Sequence, residues 1–98
     1  MIELVKVVEA RALDGHRLWV RFSNGREGAR EFADIVAEEG PMVMPLRDPA
    51  FFRRVFVEFG VPSWPNGYEI DAIALYREME EAGLLAPRDT ALTANPPA

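Results

Sequence analysis

Two turn dipeptides, Asp14-Gly15 and Asn24-Gly25, stand ten residues apart and enclose a strictly alternating segment. Leu18, Val20 and Phe22 fall on one parity and Arg17, Trp19 and Arg21 on the other. A period of two places one set on each face of a half-buried strand, and Asn-Gly or Asp-Gly beside such a run is a strong hairpin signal. The spacing therefore predicts an antiparallel meander: a strand over 2–13, a second over 17–22 and a third over 26–32. Within the first, Val5 and Val7 lie on odd positions while Val8, Ala10 and Ala12 lie on even ones. Such a change of phase inside one strand predicts a bulge near Val8.

The second half reads differently. Residues 34–39 are spaced for a short helical turn, with Phe32, Ile35 and Val36 facing inward and Gly40-Pro41 ending it. Residues 42–46 are apolar but broken by Pro45, which predicts an extended connection or sheet edge. Asp48-Pro49 is a helix opening that carries Phe51 and Phe52. Alternation over 55–59 adds a fourth strand, which Gly60 turns into residues 61–64, and Phe51, Phe52, Phe56 and Phe59 are expected in the core. Trp64-Pro65-Asn66-Gly67-Tyr68 is the densest turn signal in the chain. Asp71 then caps a helix whose apolar positions Ala72, Leu75, Tyr76, Met79 and Ala82 form one stripe, closed by Gly83. The expected fold is α+β: an antiparallel sheet of four to five strands, a short middle helix, and a C-terminal helix packed on one face. One domain over 1–87 and a loosely held tail over 88–98 are expected, because the last residues are small, polar or Pro with a single Leu92.

Charge and cysteine content exclude several classes. The 98 residues carry a net charge of -5, but residues 1–33 are net +1 and residues 34–98 net -6. An acidic whole argues against general duplex binding, since phosphate affinity comes mainly from Lys and Arg. There is no cysteine, so thiol catalysis, disulfides and thiolate metal sites are absent. No apolar run approaches the roughly 20 residues that span a bilayer, and the start of the chain lacks a basic-then-apolar leader. A soluble, cytoplasmic protein is expected, with no membrane attachment.

Several of these positions carry a resemblance. Phe22, Asn24-Gly25 and Gly28, then Leu46, Asp48, Phe51-Phe52 and Val55, then Trp64-Pro65-Asn66-Gly67, Glu69-Ile70-Asp71 and Leu75-Tyr76 resemble the bacterial family catalogued as domain of unknown function 2442. The resemblance implies a short α+β protein of a family without an established catalytic activity. It also implies that some members carry a C-terminal helix-turn-helix and that some are encoded beside small genes of toxin-antitoxin type. Fifteen residues follow Gly83 here, too few for two helices and a turn.

The inventory for catalysis is thin. His16 is the only histidine, placed in a predicted turn, and Ser23 and Ser63 lie outside any Gly-x-Ser-x-Gly elbow. Glu38-Glu39 and Glu80-Glu81 read as solvated faces, because adjacent helix residues do not face each other. Asp71, near Glu69, is explained by capping more simply than by cation binding. No catalytic residue, cofactor or metal ligand is assigned.

Binding surfaces are more informative. A two-residue turn at Asn24-Gly25 would set Arg21 opposite Gly28 and Trp19 opposite Arg30. Arg17, Trp19, Arg21, Arg26 and Arg30 would then share one face, suited to a protein interface or to single-stranded bases. The plainer reading puts Trp19 under the C-terminal helix with the arginines reaching Glu78, Glu80 and Glu81. That register also turns Glu27 and Glu31 toward Leu18, Val20 and Phe22, at a desolvation cost unless a bulge near Gly28 shifts it. The second candidate is the Trp64, Pro65, Asn66, Gly67, Tyr68 turn with the Asp71 cap, either local structure or an aromatic loop that inserts into a partner. The expected function is a non-catalytic interaction module, plausible as the regulatory or antitoxin-like partner in a two-gene unit. Its expected partner is another small protein or a second copy as a homodimer; the alternative is a nucleic-acid-associated regulator using the Arg and Trp face.

Overall fold

The computed structural model describes residues 5–86. The expected tail and the domain boundary at residue 87 lie outside the described residues. The elements, in chain order, are β1 (Val7–Leu13), β2 (Arg17–Phe22), β3 (Glu27–Glu31), α1 (Ala33–Val36), a 3-10 turn (Met44–Arg47), α2 (Pro49–Phe52), β4 (Phe56–Glu58), β5 (Val61–Ser63) and α3 (Ala72–Glu81).

The α+β class holds, but the strands do not form one sheet of four to five. β1, β2 and β3 make a three-stranded antiparallel meander, and β4 and β5 make a separate two-stranded ribbon. Among the described residues one backbone hydrogen bond, from Val7 N–H to Gly60 C=O (2.8 Å), links the ribbon to β1. The reason lies beside that bond. The β1–β2 register slips between Val7 and Glu9, so Val8 is the extra residue of a bulge, where the phase change predicts one. A bulge bends its strand, so β4, only three residues long, packs beside β1 without joining its ladder.

The second hairpin departs from its expected register by one residue. Phe22 N–H donates to Arg26 C=O (2.8 Å) and Gly25 N–H to Phe22 C=O (2.8 Å), with Gly25 at φ +90. That is a three-residue loop, a turn followed by a left-handed glycine. Arg17 therefore pairs with Glu31, Leu18 with Arg30, Trp19 with Ala29, Val20 with Gly28 and Arg21 with Glu27. Because side chains alternate, one residue of slip exchanges the faces of β3. Glu27 and Glu31 leave the inner face, which removes the desolvation problem.

Residues 64–68 repeat the same loop. Trp64 N–H donates to Tyr68 C=O (2.9 Å), Gly67 N–H to Trp64 C=O (2.9 Å) and Tyr68 N–H to the Asn66 side chain (3.2 Å). In the earlier loop Arg26 N–H donates to the Asn24 side chain (3.1 Å). An Asn two places into the loop orders its backbone, and the following Gly takes the positive φ that other residues resist.

Residues 42–46 are not extended. Pro45, whose fixed φ suits a first helical turn, lies inside the 3-10 turn Met44–Arg47, and Leu46 is buried there. The core gathers Val20, Phe22, Phe32, Leu46, Phe52, Trp64, Leu75 and Met79 between the inner face of the meander and the later elements. α3 is capped by Asp71, whose carboxylate accepts from Ala74 N–H (2.8 Å). It buries Ala72, Leu75, Tyr76 and Met79, whereas Ala82 is exposed. Gly83 at φ +73 ends it; Leu84 N–H returns to Met79 C=O (2.9 Å) and Gly83 N–H to Glu80 C=O (3.1 Å). The chain then runs back to β3, where Ala86 N–H donates to Glu27 C=O (2.8 Å).

Candidate interaction surfaces

The true register divides the five residues predicted to share a face. Arg17, Trp19 and Arg21 lie on the outer face of the meander with Glu9, Arg11, Glu27 and Glu31; Arg26 and Arg30 lie on the inner side with Leu18, Val20 and Phe22.

On the outer face, the Arg11 and Arg21 guanidiniums lie over the Trp19 ring at 5.0 and 5.3 Å from its centroid. Glu9 accepts from Arg11 (2.8 Å) and Arg21 (3.1 Å), and Arg21 also donates to Glu27 (3.0 Å). Trp19 is half-buried and outside the core cluster, so it does not pack under α3. The Arg11 hydrogen bond holds the Glu9 carboxyl below the usual range against a smaller opposing effect of desolvation, with the charges of Arg11 and Arg21 adding to it. The face is electrically mixed, not basic. Arg17 is exposed and makes no ion pair among the described residues.

The inner arginines clasp the helix side of the molecule. Arg26 donates to the Tyr76 hydroxyl (2.9 Å) and to Glu80 (3.0 Å). Asn24 donates to the same hydroxyl (3.1 Å), and the Tyr76 ring stands edge-on to Phe22. The Tyr76 bond raises the Arg26 pKa above its ordinary value. Arg30 reaches Asp34 (3.0 Å) and Glu78 (3.3 Å). So two of the expected contacts to the acidic helix form, through Arg26 and Arg30, which a two-residue loop would place beside Trp19.

The Trp64 turn is not an exposed aromatic loop. Trp64 is 1% exposed, and its indole N–H donates to Phe52 C=O (2.9 Å). Tyr68 is half-buried against it with ring centroids 5.8 Å apart, while Pro65 and Gly67 form the exposed tip and Asn66 ties the turn to Met42 C=O (2.9 Å). Burial, then the charge of Glu38, raises the Tyr68 phenol pKa. The aromatic that does project is Phe59. It was expected in the core, but it sits with Gly60 in the β4–β5 turn at φ +52 and is 94% exposed. Phe56 is also exposed, whereas Phe52 is buried and Phe51 packs on the core edge. The missed signal was length: β4 ends at Glu58, and two residues of turn before Val61 place Phe59 at the tip.

His16 has a tertiary role. Its backbone is left-handed (φ +58), its Nε2 lies 3.0 Å from Arg47 C=O, and its ring stands edge-on to Phe52 at 5.1 Å. It lines a cleft of about 160 Å³ with Asp14, Pro49 and Arg53. A second, more open cleft of about 480 Å³ is lined by Ala37, Gly40, Pro41 and Met44. Among the described residues no group of three His, Cys, Asp or Glu side chains is placed to hold a metal ion. No helix there is long and apolar enough to cross a membrane.

No curated protein and no solved structure matches the chain. A family model does, over residues 7–81, which takes in the meander, both Asn-Gly loops, the buried Trp64 and α3. The chain belongs to the family described as "Protein of unknown function (DUF2442)".

Proposed function

We propose that this chain is a non-catalytic interaction module that receives a partner protein on the outer face of its meander, as the regulatory or antitoxin-like component of a bacterial two-gene unit. The observation that carries the reading is Trp19 with the Arg11 and Arg21 guanidiniums over its ring, on the face opposite the core. Trp and Arg dominate binding energy at protein interfaces, and side chains already ordered by one another lose less entropy on docking. The two-gene setting rests on the resemblance of the chain to a family with such members.

The balance of charge favours protein over nucleic acid. Glu9, Glu27 and Glu31 share the face with Arg11, Arg17 and Arg21, so a phosphate backbone laid there meets as many carboxylates as guanidiniums. The test is co-expression with the product of the adjacent gene, followed by pull-down and titration. A complex is expected at micromolar concentration, and Trp19→Ala should weaken it about thirtyfold, the effect of losing roughly 2 kcal/mol at an interface centre. Absence of a complex at that concentration counts against the reading.

A further inference from the structure

We infer that two copies of this chain pair through the free edge of β1, antiparallel and centred on Ala10, to make one continuous sheet from two meanders. This goes beyond the partner-protein reading and does not rest on it.

β1 is an outer strand: β2 lies on one side of it, and among the described residues the backbone hydrogen bond on its other side is that of Val7 N–H to Gly60 C=O. The direction of its backbone groups follows from the hairpins. Phe22 N–H donates to Arg26 C=O, so even-numbered residues of β2 bond to β3 and Arg17, Trp19 and Arg21 bond to β1. Their partners on β1 are Leu13, Arg11 and Glu9, which leaves the N–H and C=O of Ala10 and Ala12 directed outward from the sheet. Val8, at the bulge, is 54% exposed.

An edge of this kind invites a strand, and charge selects the register. Hydrogen-bond parity requires an even-numbered residue to face an even-numbered one. With Ala10 opposite the partner's Ala10, Glu9 faces the partner's Arg11 and Arg11 faces the partner's Glu9. Both contacts repeat by the two-fold axis, and both fall at non-hydrogen-bonded positions, where side chains approach most closely. Moving the centre to Arg11 sets guanidinium against guanidinium, and moving it to Glu9 sets carboxylate against carboxylate. A register centred on Ala12 keeps parity but sets Arg11 against the partner's Leu13, so the Ala10 register is the one that both satisfies parity and pairs opposite charges. Ala10 also presents little bulk, and the partner's strand ends at its own Leu13, turning away where the ribbon meets Val7.

Sedimentation equilibrium of the full chain from about 5 to about 500 μM should show a monomer–dimer equilibrium, and a monomer throughout overturns the proposal. Arg11→Glu replaces both attractive pairs by carboxylate repulsion and should raise the dimer dissociation constant about tenfold. The double variant E9R/R11E exchanges the charges and should recover the dimer. A folded double variant that stays as weak as R11E refutes this register. Hydrogen exchange of the unmodified chain supplies an arm free of folding effects: the Ala10 and Ala12 amides should gain protection as concentration rises. Fast exchange of both at every concentration overturns the edge pairing.

Discussion

Phe59 and Gly60 occupy the two central positions of the β4–β5 turn with φ +52 and +77, a conformation that suits Asn-Gly and strains a phenylalanine. Its ring is almost wholly solvated, so it recovers no burial in the isolated chain. Phe59→Asn should therefore stabilise the protein by about 0.5–1 kcal/mol, raising the melting temperature by several degrees for a domain of this size. Thermal unfolding followed by circular dichroism checks this, and a lowered midpoint would show that the ring has a structural partner. Glu9 offers a test of the outer face at the same scale. Its carboxyl pKa is lowered in the fold, so its contribution is present above the ordinary glutamate pKa and is lost as pH falls through the folded value. Arg11→Gln removes the largest cause. In a carboxyl NMR titration, Glu9 should then move up toward the ordinary range; an unmoved titration would mean that Arg11 does not hold it.

Among the elements, β3 is the one whose placement controls most. A Cβ on Gly28 would lie 2.1 Å from the Leu84 carbonyl oxygen and 3.0 Å from its carbon, so the segment leaving α3 crosses directly over this strand. Backbone cannot give way as a flexible side chain does. Gly28→Ala should cost about 2–3 kcal/mol, read as a loss in denaturant midpoint, with early hydrogen exchange at Ala86 as the Ala86–Glu27 bond opens. An unchanged midpoint would refute the close crossing. The existence of β2, of the bulge at Val8 and of the Asp71-capped helix was legible in the chain, because each depends on a local pattern: alternation, a change of phase, a capping side chain. The register of β3 was not. Asn-Gly serves both two-residue and three-residue loops, and the choice between them is made by where Glu27 and Glu31 can remain solvated and by where Leu84 must pass.

At the scale of the molecule, the opposite charges of the two halves of the chain meet at Arg26–Glu80 and Arg30–Glu78. These carboxylates are about half exposed, so the clasps orient α3 more than they hold it. A double-mutant cycle on Arg26 and Glu80 should give a coupling below about 1 kcal/mol, whereas Met79→Ala, which empties a fully buried site under α3, should cost about 2–5 kcal/mol. The reverse order of magnitudes in chemical denaturation would mean that charge, not burial, joins the halves.

The sequence by itself determined the meander, the turns, the capped helix and the absence of cysteine chemistry, since these follow from contacts within a few residues and from composition. Only the tertiary structure decided which way the arginines face, that Trp64 is interior and Phe59 exterior, and that the strands separate into two sheets. A face is a parity, and parity changes with a single residue of loop length; burial is a matter of which distant segment arrives, as Phe52 C=O does at the Trp64 indole and Leu84 does over Gly28. The mixed charge of the outer face belongs to this second class. Glu27 and Glu31 reach it because the Ser23-Asn24-Gly25 loop has three residues, and the neutral balance around Trp19 follows.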